Sequence, residues 1–180
     1  MMEEAAMKKI KLIMMALVVT VLAVGCSKGS GNNESNNEVS PKSIITKIQE
    51  TLSKSYDIPV EEGTLLGYNV ADMTDPEQML MYEGIFNTED IKSGYILQSM
   101  MNVKAELIIV AEAKDATALE NIKLGYEKVL SDQDAMWSRY LPDQYDLVKA
   151  NVIKTQGNYA LYVTSQESEA IVKIFEEQVK

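Results

Sequence analysis

The stretch that most restricts the fold is "AELIIVAEA", residues 105–113. From Leu107 to Ala111 it is apolar without a break. A strand with one wet face alternates apolar and polar side chains, so an unbroken run implies a central strand covered on both faces. Its neighbours supply partners. "SGYILQSMMN" sets Tyr95, Leu97 and Met101 against Ile96, Gln98 and Met100, which reads as a strand, and Asn102-Val103-Lys104 forms a turn between the two runs. Asp115 then caps a long amphipathic helix with Leu119, Ile122, Tyr126, Val129 and Leu130 at three- and four-residue steps. That helix continues toward Trp137 and Tyr140 and ends before Pro142, with a further helical piece at 145–149. In "NVIKTQGNYALYVTS", Gly157-Asn158 suits a two-residue hairpin turn between β-rich flanks. Ser165 is expected to cap a last helix whose apolar face is Ala170, Ile171, Ile174, Phe175 and Val179.

Upstream, Ser40-Pro41 is an N-cap followed by proline at the first helical position. Ile44, Ile45, Ile48 and Leu52 form one stripe, which ends near Tyr56 to Pro59. Residues 60–74 carry two glycines and no clear period and read as irregular. Asp75-Pro76-Glu77-Gln78 looks like a capping box opening a short helix, "PEQMLMYE", that stops at Gly84. Strands arriving in adjacent pairs argue for an α+β domain over 41–180. Its small antiparallel sheet has about four strands, with helices packed on one side.

The N-terminus has a different character. Lys8, Lys9 and Lys11 precede a run, Leu12 to Val24, that is apolar except for Thr20. Basic start, apolar middle and small residues form the layout of a secretory signal over 1–25. Thirteen helical residues reach about 20 Å, short of a ~30 Å hydrocarbon core. Met1-Met2-Glu3-Glu4 places acid where a signal is basic, so the true start is expected at Met7. Leu22-Ala23-Val24-Gly25-Cys26 resembles the lipobox of bacterial lipoproteins, with Ala23 where leucine is usual. The resemblance implies a diacylglycerol thioether on Cys26, cleavage before it, and palmitate-type acyl chains as the anchor. Two chains, at about 0.8 kcal/mol per buried methylene, hold a protein on a membrane where one would not. "SKGSGNNESNNEVS" then reads as a flexible linker, so 26–40 is lipidated cysteine plus tether.

Composition narrows the chemistry. The chain has no histidine, which removes the commonest general base and zinc ligand, and one cysteine excludes an internal disulfide. A net charge of −10 argues against nucleic acid as a partner. No nucleophile motif, phosphate loop or dinucleotide fingerprint occurs. Asp132-Gln133-Asp134 lacks the rest of a calcium loop. No catalytic residue, metal site or cofactor is therefore assigned. The acidic pairs Glu61-Glu62, Glu89-Asp90 and Glu176-Glu177 read first as solvated surface. "MWSRYLPDQYDLV" gathers Trp137, Arg139, Tyr140 and Tyr145, residue types enriched at binding hot spots, although the same rings can pin a helix end to a sheet. Met79, Met81, Met100, Met101 and Met136 read as gap-fillers in the core.

Three landmarks in order, "YEGIFNTEDIKSGYILQSMMNVKAELIIVAEAKD", "RYLPDQYDLV" and "GNYALYV", resemble a family of Gram-positive bacterial lipoproteins built on a domain of unknown function, number four-three-five-eight. The likeness covers roughly 79–164. It implies a secreted, lipid-anchored α+β domain with no assigned activity, and it carries over no site residue except Cys26. The expectation is a membrane-anchored lipoprotein at the extracellular face of the cell membrane. It would act as a non-enzymatic module binding a protein, peptide or cell-wall partner. The alternatives are an extracellular hydrolase using paired carboxylates and an accessory subunit of a membrane complex.

Overall fold

The run at 107–113 is the middle strand of a five-stranded antiparallel sheet in the computed structural model, which describes residues 39–180. The elements are α1 (Pro41–Tyr56), β1 (Val60–Glu61), β2 (Thr64–Leu65), β3 (Tyr68–Asp72), β4 (Ile91–Ser99) and β5 (Leu107–Ala113). After these come α2 (Ala116–Trp137), α3 (Pro142–Lys149), β6 (Val152–Gln156), β7 (Tyr159–Thr164) and α4 (Ser168–Gln178). The sheet order is β3-β4-β5-β7-β6, every pair antiparallel, and β1 with β2 forms a separate two-stranded ribbon. The α+β class and the antiparallel sheet agree with the sequence. The cysteine at 26 and the residues before it lie outside the described residues.

Strand β5 sorts its side chains by parity. Leu107, Ile109, Ala111 and Ala113 join one core with Ala118, Ile122, Tyr126 and Val129 of α2. Ile108 and Val110 join the other, with Ile44, Ile45, Ile48 and Leu52 of α1 and Ile171 and Phe175 of α4. Helices therefore cover both faces, where the sequence suggested one. The physical reason is the strand itself: Ile108, Ile109, Val110 and Ala111 are all fully buried, and each parity needs its own apolar cover.

Local chemistry explains most element ends. Ser40 accepts from the Ser43 amide and Ser43 reaches back to the Ser40 backbone, a capping box with Pro41 just inside it. Asp115 Oδ1 accepts from the Ala118 amide at 2.9 Å at the start of α2. The β6–β7 hairpin turns at Gly157, whose φ of 56° a β-carbon would oppose.

Two segments depart from expectation. Residues 60–74 are not irregular: they hold the β1–β2 ribbon and the edge strand β3. Gln49 of α1, 3% exposed, organises the ribbon by accepting from the Leu65 amide at 2.8 Å and donating to the Gly63 carbonyl at 3.2 Å. The helix expected from Pro76 shrinks to a single 3-10 turn, Leu80–Tyr82. Gln78 folds back, its side chain bonding the Asp72 amide and Asp75 Oδ2. Met79 is buried and Tyr82 packs against the same core, but Leu80 and Met81 remain exposed, so little apolar burial supports further turns.

Candidate functional site

One carboxylate is buried without a cation. Glu106 stands immediately before β5 with 6% of its surface exposed, and among the described residues no ion pair reaches it. Three hydroxyls serve it instead. Tyr56, the last residue of α1, donates to Oε1 at 2.8 Å. Ser165, just past β7, donates to the same oxygen, and Tyr68, the first residue of β3, donates to Oε2. Hydrogen bonds to an ionised acceptor are stronger than neutral ones, so three together offset much of the desolvation cost of the charge.

The electrostatics follow from this packing. Burial, and then the bond and charge of Glu106, push the Tyr68 phenol well above the ordinary tyrosine range. Burial does the same to Tyr56, with the Ser165 bond acting the other way and the Glu106 charge adding to the rise. Both phenols therefore stay protonated at neutral pH and act as donors.

Glu106, Tyr56 and Tyr68 form the polar wall of a cavity of about 500 Å³. The rest of its lining is mostly apolar: Ile58 and Leu66 from the ribbon region, Met101 from the β4–β5 turn and Leu147 from α3. Gln144 of α3 fixes the back of the site by accepting from the Ala105 amide at 3.0 Å. A volume of this size suits a small organic ligand, with few polar groups to orient it. Among the described residues, Glu106 is the one carboxylate in the lining. Glycosidase chemistry of the paired-acid kind needs two facing each other across a gap, and Glu61, Glu62, Glu176 and Glu177 lie exposed.

The aromatic group singled out from the sequence is only partly a surface. Trp137, 5% exposed, packs with Ala105 and Val148 in a satellite core, pinning the end of α2. Tyr140 lies 5.7 Å from it, ring to ring, and is 54% exposed. Arg139 is exposed. Tyr145 is half-buried, donating to Asp134 at 2.9 Å with the Lys149 ammonium 5.0 Å over its ring. Of the five methionines expected to fill core gaps, Met79 does so, whereas Met81, Met100, Met101 and Met136 are exposed.

Glu106, Tyr56, Tyr68 and Ser165 went unremarked as a group in the sequence because they come from four separate segments. The one available signal was a single acid flush against an apolar run, "AELIIV". Ser165 was expected to cap the last helix. It accepts from the Glu167 amide at 3.1 Å, but α4 begins later, at Ser168, and the hydroxyl proton goes to Glu106.

With this geometry in view, comparison with known proteins gives one positive finding. A family model described as "Domain of unknown function (DUF4358)" matches residues 68–165. The matched span opens at Tyr68 and closes at Ser165, with Glu106 inside it. No curated protein and no solved structure matches the chain.

Proposed function

The chain belongs to the DUF4358 family, and on that premise we propose a non-enzymatic ligand-binding module, secreted and held at the outer face of the cell membrane by lipid on Cys26. The observation that carries the reading is the cavity of about 500 Å³ with its apolar lining and one buried, hydroxyl-bonded carboxylate. Apolar surface supplies affinity in such a site and the few polar groups supply orientation. The tether and signal rest on the basic, apolar and small-residue order of residues 8–26. In this reading 26–40 spaces the domain from the headgroups, and its ligand would be met outside the cell.

The test is amide-shift mapping on the full chain in zwitterionic nanodiscs, titrated with 1-hexanol and referenced to empty discs. The expected result is saturable shifts at Ile58, Leu66 and Leu147, removed in a Leu147→Trp variant that fills the cavity. Shifts scattered over the surface, or none that saturate, would refute it.

A further inference from the structure

Resting on that binding reading, we infer that the Glu106 cavity takes an organic cation, a protonated amine on a compact apolar body, with its ammonium on Glu106 and its hydrocarbon against Ile58, Leu66 and Leu147. The first support is the count of acceptor sites. A carboxylate offers about four lone-pair positions. Among the described residues, Tyr56 and Ser165 occupy Oε1 and Tyr68 alone occupies Oε2, which leaves one position on Oε2 for a ligand.

The second support is charge. Among the described residues, all three donors to Glu106 are neutral hydroxyls. Buried ions are ordinarily paired, and a cation delivered by the ligand completes such a pair in a low-dielectric wall. Ammonium groups are also attracted to aromatic rings, and Tyr56 and Tyr68 line this wall. An anionic ligand meets the opposite situation. The three hydroxyl protons are already committed to Glu106, and Lys104, the only cation in the lining among the described residues, is exposed to solvent.

The third support is the apolar remainder of the lining. A bare metal ion would leave Ile58, Leu66, Met101 and Leu147 without a partner, whereas an alkyl or aryl amine covers them. A neutral alcohol gains the hydrogen bond but not the charge pairing, so it should bind more weakly than the amine.

Hexylammonium, 1-hexanol and hexanoate share one tail and differ in head charge, so they form the test panel for the full chain in zwitterionic nanodiscs. The expected order of affinity is hexylammonium, then hexanol, then hexanoate. Glu106→Gln is expected to weaken hexylammonium about tenfold and hexanol by less than about threefold. Tyr68→Phe, which keeps the charge, retains the preference for hexylammonium and guards against a folding defect in the first variant. Hexanoate binding as well as hexylammonium, or an unchanged hexylammonium affinity in Glu106→Gln, overturns the cation assignment while leaving a binding cavity. Failure of all three to enter overturns the binding reading itself. Displacement of hexylammonium by Nα-acetyl-lysine amide would support the assignment and place the ammonium on a peptide; displacement by free amines alone would support it with a small metabolite as source.

Discussion

The Tyr56 hydroxyl donates to Oε1 of Glu106 at 2.8 Å, joining side chains 50 positions apart. With Tyr68 and Ser165 on the same carboxylate, the end of α1, the start of β3, the start of β5 and the exit of β7 meet at one group. The candidate site is therefore also a structural junction.

Removing that junction should cost stability in a graded way. Glu106→Ala leaves three hydroxyls without their acceptor and is expected to destabilise by about 2–4 kcal/mol. Glu106→Gln keeps a carbonyl acceptor and should cost about half as much. Urea unfolding monitored by Trp137 fluorescence measures both. Negligible losses in both would mean that the hydroxyls do not depend on the carboxylate.

A second polar junction lies on the other face of the sheet. Gln133 of α2 donates to the Ala105 carbonyl at 2.9 Å and accepts from Tyr162 at 2.7 Å and Thr164 at 2.9 Å. Tyr162 and Thr164 are fully buried. Gln133→Leu is expected to cost about 2–3 kcal/mol by stranding those groups. Adding Tyr162→Phe should recover about 1 kcal/mol of coupling in a double-mutant cycle. Strict additivity would show that the pair does not interact.

Gly125 sits inside α2, where alanine would ordinarily gain about 1 kcal/mol. A β-carbon there would lie 2.4 and 2.6 Å from two ring atoms of Phe86 and 3.2 Å from the Ile85 carbonyl oxygen. Phe86 is itself held edge-on against Tyr126 at 5.8 Å. Gly125→Ala should therefore destabilise by about 1–2 kcal/mol, and Phe86→Leu in the same chain should relieve it. Thermal melts of the three variants decide the sign.

Alkaline pH should unfold this protein through its tyrosines. Burial pushes the Tyr82 and Tyr162 phenols up to about 12, and Tyr126, wholly enclosed, higher still. In the unfolded chain all three ionise near 10, as tyrosine ordinarily does. The folded values lie above the unfolded ones, so this contribution is complete below about pH 10 and is lost as pH rises toward 12, at about 1.4 kcal/mol per pH unit for each phenol. Urea midpoints should fall through that window, with tyrosinate absorbance rising at the unfolding transition. Full ionisation of these phenols near pH 10 in a chain that stays folded would contradict the burial.

Cys26→Ser tests the proposed anchor. The wild-type chain should partition with membranes and carry a mass increment of two or three acyl chains on a cleaved N-terminal cysteine. The variant should leave the membrane pellet or retain its uncleaved leader. An unmodified thiol on an uncut wild-type chain would remove the anchor from the proposal.

The features legible in the sequence share one property, short range. The α1 N-cap at Ser40 and its stripe, the Gly157-Asn158 hairpin, the α2 cap at Asp115 and the two-faced character of Leu107 to Ala111 are set by residues one to four positions apart. At that distance, backbone geometry ties pattern to structure. β3 was missed because five residues at a sheet edge, between Gly67 and a polar turn, show too little alternation to stand out. The helix after Pro76 is shorter than its cap residues suggest because Met79 reaches the core but Leu80 and Met81 find no surface to cover.

Tertiary structure alone decided which hydroxyls met Glu106. Serine and tyrosine hydroxyls are interchangeable in any local reading, and nothing near Ser165 or Tyr68 marks them for a carboxylate. The choice fell to the sheet order, which laid β3 beside β4 and inserted β7 between β5 and β6, bringing four distant chain positions to one end. Local sequence determines which segments are strands and helices because bonded neighbours compete for the same few dihedral wells. The partner of a buried charge is settled only when the two faces of the sheet are covered and water is gone.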